Sequence, residues 1–243
     1  MSTSVIFDHV LFFGRKYDEV LSVFRLSESD LAGRMVLDCN SGPDAFVAEA
    51  TRRGFAVTGC DPVYAKSVEE IRAQGQADIA HSLARSTGRP ESTGALDVAE
   101  FNRLKSEALE MFLRDFEEGK RAGRYVAGAL PELPFADRAF DLVLSAHFLF
   151  IASPPRVGGM IDTEQFDLEF HRRAVRELIR VCRGQVRIFP FTKISEPDAI
   201  HPWAAQILGE LAADGFRLAI VENDYDQGRY TGHHVLVIEP EPA

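Results

Sequence analysis

Residues Met35-Val-Leu-Asp-Cys-Asn-Ser-Gly-Pro-Asp-Ala-Phe46 decide how this chain is read. Met35 to Leu37 is a short apolar run ending in Asp38, the pattern of a strand buried on both faces. Asn40, Ser41 and Gly42 then make a turn. Pro43 stands where a helix would begin, a position that tolerates its missing N–H. The glycine pattern G-x-G-x-x-G of a strand–turn–helix site is reduced here to Asn40-x-Gly42-x-x-Ala45. Asn accepts left-handed backbone, and Ala still lets a helix pack closely on its strand.

The charge at this turn excludes one kind of ligand and suits another. A pyrophosphate at a helix N-terminus needs bare N–H groups and positive potential. Asp38 precedes the turn and Asp44 falls in the first helical turn, so both would repel phosphate. They suit a ligand carrying an ammonium and a sulfonium; for Asp44, complementing the helix dipole is an equal alternative.

Working outward, the 243 residues suffice for one large α/β domain with a sizeable core. A net charge of −10 with no basic patch argues against a nucleic-acid surface. Cys39, Cys60 and Cys182 lie in apolar settings without CxxC spacing and read as buried free thiols of a reducing compartment. No leader and no membrane-length apolar run is evident, so a cytoplasmic protein with no membrane partner is expected. His233 and His234 alternate faces on a strand, and no metal cluster is expected.

Upstream of the turn, Tyr17, Val20, Leu21 and Phe24 recur at helical spacing and predict a helix over 16–26. A helix over 43–53 should end at Gly54. Residues 55–60 read as the second strand, with Asp61 just past its end and 23 residues after Asp38. That is where a carboxylate binds a ribose diol in nucleotide-binding α/β folds; the competing role is an N-cap for a helix over 65–73. Residues 74–94 read as a loop. Asp97-x-x-Glu100 reads as a capping box, and Phe101, Leu104, Ala108, Phe112 and Phe116 form one helical stripe.

Strands follow over 124–130, 141–146 and 185–189. A helix capped by Asp162 and ended by Gly184 should precede the last of these. After a helix over 203–214, strands over 216–221 and 234–238 predict an antiparallel hairpin. Alternating strands and helices closed by that hairpin give a single doubly wound α/β domain over 1–243, its sheet seven-stranded and mostly parallel. Residues 1–33 would form an N-terminal helical cap, and 75–122 a helical insertion between the second and third strands, either packed on the body or serving as a lid.

Three ordered stretches carry a family resemblance: Val36-Leu-Asp-Cys-Asn-Ser-Gly-Pro43, Val57-Thr-Gly-Cys-Asp-Pro62, and Leu133-Pro-Phe-Ala-Asp-Arg-Ala-Phe-Asp-Leu-Val-Leu-Ser145. Over residues 35–190 the chain resembles class I S-adenosylmethionine-dependent methyltransferases with a Rossmann-like sheet, and looks closest to uncharacterised bacterial members with a Gly-Pro turn. The resemblance implies S-adenosyl-L-methionine as cofactor and a small-molecule acceptor. It implies that Asp38, Asn40, Ser41 and Gly42 hold the cofactor's amino-acid end, and Asp61 its ribose. Pro62 and Leu130 would adjoin the adenine, and Ser145, Ala146 and His147 would line the methyl-transfer face. Two departures stand out: Asn40 replaces the first glycine, and Ala129 replaces the acid that often meets the adenine amine.

If the acceptor is a hydroxyl or amine, a base must take its proton, and His147 at the exit of the fourth strand is the candidate. Hydrogen bonding as an ordinary buried histidine is its equal alternative. Arg15 and Tyr17 are candidates to reach the cofactor's amino-acid end. Two other functions remain open: a non-catalytic cofactor-binding or interaction protein with a degenerate turn, and a nicotinamide-dependent oxidoreductase.

Overall fold

Strand β1 (Met35–Cys39) is paired on both edges, which is why every residue after Met35 is buried and the run carries no outward polar face. In the computed structural model of the chain, residues 9–86, 98–223, 225 and 234–239 are described. Helices α1 (Tyr17–Phe24) and α2 (Glu28–Leu31) precede β1. After it come α3 (Phe46–Arg52), β2 (Ala56–Cys60), α4 (Val68–Ser86), α5 (Val98–Arg121) and β3 (Tyr125–Val126). Then follow β4 (Phe140–Ala146), α6 (Leu168–Val181), β5 (Cys182–Phe189), α7 (Pro202–Ala213), β6 (Arg217–Glu222) and β7 (His234–Glu239).

The seven strands lie in the order β3-β2-β1-β4-β5-β7-β6. The pairs among the first five are parallel, and β7 runs antiparallel to both β5 and β6. This is the doubly wound sheet with a terminal hairpin expected from the sequence. Winding starts at β1, proceeds outward through β2 and β3, then returns to place β4 on the other side of β1. The connections therefore diverge between β1 and β4 and leave a crevice at their carboxyl ends. Alternation along the strands feeds two apolar layers. Val36, Leu142 and Leu144 face Phe46, Phe112 and Phe116 on one side; Leu37 and Val143 face Val175, Leu178 and Ile207 on the other.

Several boundaries differ from the sequence reading, each for a local reason. Residues 74–86 are helical, within α4, instead of forming a loop. Gly75 misled because it looks like a breaker. In place it allows close helix approach, since a Cβ there would sit 2.8 Å from Leu109 Cδ2 of α5. The rest of that expected loop and the Asp97 cap lie outside the described residues.

Helix α3 starts at Phe46, because Pro43 and Asp44 belong to the turn and Asp44 is engaged elsewhere. Helix α6 is capped by Asp167, whose side chain accepts from Phe170 N at 2.8 Å, and not by Asp162. Gly184 does not end it. The chain passes straight from Val181 into β5, and Gly184 permits the approach to β4, where a Cβ would meet Asp141 O at 2.2 Å. The third strand is two residues long, since the chain turns back through an Ala129–Glu132 bridge before Leu130 can extend it. Cys39, Cys60 and Cys182 are free and buried.

Candidate functional site

The turn after β1 is built by three bonds the sequence does not advertise. Asn40 N donates to Cys60 O at 2.9 Å, tying the turn to the end of β2, and Asn40 takes the left-handed backbone (φ 62°) that its side chain tolerates. Gly42 is also left-handed (φ 50°), and its N–H donates to Asp61 Oδ2 at 3.0 Å. The other oxygen of Asp61 accepts from Val63 N at 2.9 Å, the N-cap bond of a 3-10 turn over Pro62–Ala65. The capping role of Asp61 is therefore real. Each of its oxygens nevertheless retains a lone pair, so a hydroxyl donor is not excluded.

The segment before α1 closes the same turn. Arg15 N donates to Asp44 Oδ1, and Ala45 N donates to Arg15 O at 2.9 Å. Gly14 allows this contact, because a Cβ at residue 14 would lie 2.1 Å from Pro43 O. Farther out, Phe12 N donates to Asp78 Oδ2 of α4 at 2.8 Å, fixing residues 10–13 as a wall. Arg15 faces the turn as expected. Tyr17 does not: it stacks on Phe46 in the core and donates to Glu28.

Acid exceeds base at this point. Burial, followed by the charge of Asp44, pushes the Asp38 carboxyl well above its ordinary range, and one of its oxygens is buried without a hydrogen bond. Burial raises Asp44 to about 7 against the pull of Arg15, and raises Asp61 to about 6 against its two backbone bonds. A carboxyl whose folded pKa is raised stabilises the fold while protonated and loses that contribution as pH climbs through the folded value.

Three histidines oppose this on the acid side. Burial keeps His147, His171 and His201 neutral, with His201 lowered to about 3, so their contribution is lost as pH falls below the ordinary 6.5. Below pH 6.5 the two sets oppose each other; above it Asp38 and Asp44 lower stability as pH rises, partly offset by Lys105, whose pKa burial lowers to about 8. Raising the pH of the ligand-free protein from 6.5 to 8 is therefore expected to lower its melting temperature. Melting curves across that range check this, and Asp38→Asn should flatten them.

A cavity of about 830 Å³ spans the carboxyl ends of β2, β1 and β4. Of the residues singled out from sequence, Asn40, Ser41, Gly42, Asp61, Pro62, Leu130, Ala146 and His147 line it. Asp38 and Ser145 do not. They sit one position back on β1 and β4, buried beneath the turn, where each has an unpartnered oxygen. His147 follows β4 directly, held by its N–H donating to Phe189 O at 2.6 Å and by left-handed backbone (φ 55°). Such strain in a non-glycine residue is tolerated mainly where surrounding structure enforces it. Neither ring nitrogen has a hydrogen-bond partner among the described residues, and both are buried.

Sequence reasoning missed much of the far wall: Leu11 and Phe13 contribute from the N-terminal segment, and Phe148 and Phe166 from the irregular chain between β4 and α6, alongside Phe101 of the α5 stripe and Met160 of the same irregular chain. His171, by contrast, is a core residue of α6 stacked on Phe150. Among the described residues no group of His, Cys, Asp or Glu could hold a metal, and no helix is long and apolar enough to cross a membrane.

No protein-family model matches the chain. An uncharacterised protein of Methanocaldococcus jannaschii is 25% identical over 229 residues, covering 93% of this chain and 94% of its own. Among solved structures, the chain is similar to a magnesium protoporphyrin IX methyltransferase from Synechocystis with bound SAH (12% identity, TM-score 0.48, 91% of this chain and 80% of that one). It is also similar to a TehB-like SAM-dependent methyltransferase from Corynebacterium glutamicum (16% identity, TM-score 0.48, 93% and 88%). A third is a Burkholderia thailandensis 1,6-didemethyltoxoflavin-N1-methyltransferase (15% identity, TM-score 0.45, 90% and 76%). At such identities and scores these likenesses concern the path of the chain, and what the site does is argued from its own residues.

Proposed function

We propose that the protein is an S-adenosylmethionine-dependent methyltransferase acting on a small molecule. The observation that carries the proposal is the surplus of buried acid at the turn. Asp38, Asp44 and Asp61 crowd one end of the cavity, with an Asp38 oxygen left unpaired; Arg15 and Lys105 act on Asp44, and Lys66 on Asp61. A ligand bringing an ammonium and a sulfonium would relieve that surplus; a pyrophosphate would aggravate it. A nicotinamide dinucleotide is accordingly the poorer fit.

In this reading Asp38 acts from beneath the turn and, with Asn40, Ser41 and Gly42, positions the amino-acid end of the cofactor. Asp61 takes the ribose hydroxyls on its free lone pairs, and Pro62 and Leu130 flank the adenine. When bound, the cofactor supplies an electrophilic methyl group. The chain's own contribution is to align the acceptor with that methyl, exclude water, and offer a neutral imidazole at His147 for the proton. With Ala129 where an acid often stands, the adenine amine loses one charged acceptor.

The test is a thermal-shift titration with S-adenosylmethionine, S-adenosylhomocysteine and NAD. Either of the first two at a hundred times its Kd is expected to stabilise the fold by about 2.7 kcal/mol. Stabilisation by NAD alone would overturn the proposal. Tight binding without methyl transfer to any acceptor would favour a non-catalytic cofactor-binding protein.

A further inference from the structure

We propose, resting on the methyltransferase reading, that the acceptor is a neutral aromatic small molecule with one acidic X–H group of the phenol or aryl-thiol class, seated against Phe148, Phe166 and Phe170. The cavity is divided by chemistry along the sheet. Its charged lining residues, Arg15, Asp44, Asp61 and Lys66, come from segments over β1 and β2. The chain that follows β4 contributes apolar side chains, His147 and Gln165, with no formal charge among the described residues.

Three phenylalanines dominate that end. Phe148 meets Phe166 edge-on at 5.3 Å and Phe170 edge-on at 6.0 Å, and Phe166 and Phe170 are tilted at 4.9 Å. All three are only partly buried, although their mutual packing could have hidden them. Their open faces border the cavity, and Leu11 packs onto the same cluster from the N-terminal wall. Partly exposed rings in an edge-on arrangement suit a further aromatic ring. A carboxylate or ammonium placed there would lose its water and find no counter-ion.

His147 narrows the acceptor group. It lies where β4 ends and lines the cavity, its ring against Phe189 and Tyr225, with neither ring nitrogen partnered among the described residues. Burial, then the charges of Arg15 and Lys105, hold its conjugate acid well below the ordinary range, so it is a neutral but weak proton acceptor. A weak base is matched by an X–H that is itself acidic. An amine acceptor would instead become a cation facing Arg15. In the step, the acceptor oxygen or sulfur forms the bond to the methyl carbon. The methyl–sulfonium bond breaks with its electron pair going to sulfur. The X–H proton passes to a ring nitrogen of His147, leaving a methyl ether or thioether.

Calorimetry with β-naphthol and β-naphthoate, on protein saturated with S-adenosylhomocysteine, tests the subsite. β-Naphthol is expected to bind at least about tenfold more tightly than the charged analogue. Phe166→Asp should weaken β-naphthol by about thirtyfold or more and change S-adenosylhomocysteine affinity by less than about twofold. Phe166→Leu, which keeps the apolar volume, should retain β-naphthol binding within about threefold. Labelled methyl should pass to β-naphthol or its thiol analogue and not to the corresponding amine.

Equal binding of the two naphthalenes, β-naphthol binding indifferent to Phe166→Asp, or transfer only to the amine would overturn the inference. If S-adenosylhomocysteine binds and β-naphthol does not, the inference alone falls. If S-adenosylhomocysteine gives no binding, the methyltransferase reading falls and takes the inference with it.

Discussion

Gly14→Ala is expected to destabilise the protein by about 3 kcal/mol and to weaken S-adenosylhomocysteine binding by at least about tenfold. The added methyl would lie 2.1 Å from Pro43 O, 2.4 Å from Pro43 C and 2.7 Å from Asp44 N. All three are backbone atoms, so no side-chain rotation relieves the clash. The segment must lift, which breaks the Arg15–Asp44 and Ala45–Arg15 bonds and moves the wall that carries Phe12 and Phe13. For a domain of this size the loss corresponds to roughly 10 °C in melting temperature. Gly209→Ala is the control: it sits exposed inside α7 with nothing near its missing Cβ, and should gain about 0.5–1 kcal/mol. Scanning calorimetry on both variants checks the pair. A Gly14→Ala protein that melts and binds like the parent would show that the wall does not depend on this contact.

Asp61→Ala is expected to weaken S-adenosylhomocysteine by roughly 10- to 150-fold while two opposing terms limit the change in stability. Two terms oppose each other in the free protein. Removing the carboxylate leaves Gly42 N and Val63 N without their acceptor, at about 1.5–3 kcal/mol each. It also removes a charge whose burial raises its pKa to about 6, a relief of about 3 kcal/mol. The net destabilisation should be about 0–3 kcal/mol, whereas hydroxyl donors of the ligand lose their acceptor without any such offset. Asp61→Asn cannot serve as a silent replacement. A carboxamide has one oxygen for two N–H groups and would turn its own NH₂ toward one of them. Titration calorimetry beside melting separates the effects; variants that melt lower yet bind like the parent would reduce Asp61 to a capping residue.

The half of the site over β1 and β2 was legible because strand ends announce themselves. Apolar runs closing in Asp38 and Cys60 fixed where the sheet stopped, and a residue one step past such an end must lie at the carboxyl edge. Asn40, Gly42, Asp61 and His147 were all placed by that logic. The same logic could not separate residues that point into the cavity from those that lie beneath it, so Asp38 and Ser145 were grouped with the lining. The far wall was illegible for a different reason. Phe148, Met160 and Phe166 come from chain with no period of two or of 3.6, so nothing in their spacing declares a shared direction. Gly75 shows the limit of composition: a glycine that brings two helices together and a glycine that breaks one look alike in a sequence.

The direction of β7 has a practical consequence for anyone who wishes to tether, label or immobilise this protein. Because β7 runs against β5, with Ile238 opposite Val186, its last residues leave the sheet beside the start of β5, on the edge away from the cavity. The front of the chain is the reverse case, since residues 10–15 form part of the cavity wall and lean on Asp78 and Asp44. An affinity handle or fluorophore attached at Glu239, the last residue of β7, therefore starts at the end of the sheet opposite the cavity. One joined close to residue 10 would sit at its mouth, and a change in ligand affinity would report the handle instead of the protein.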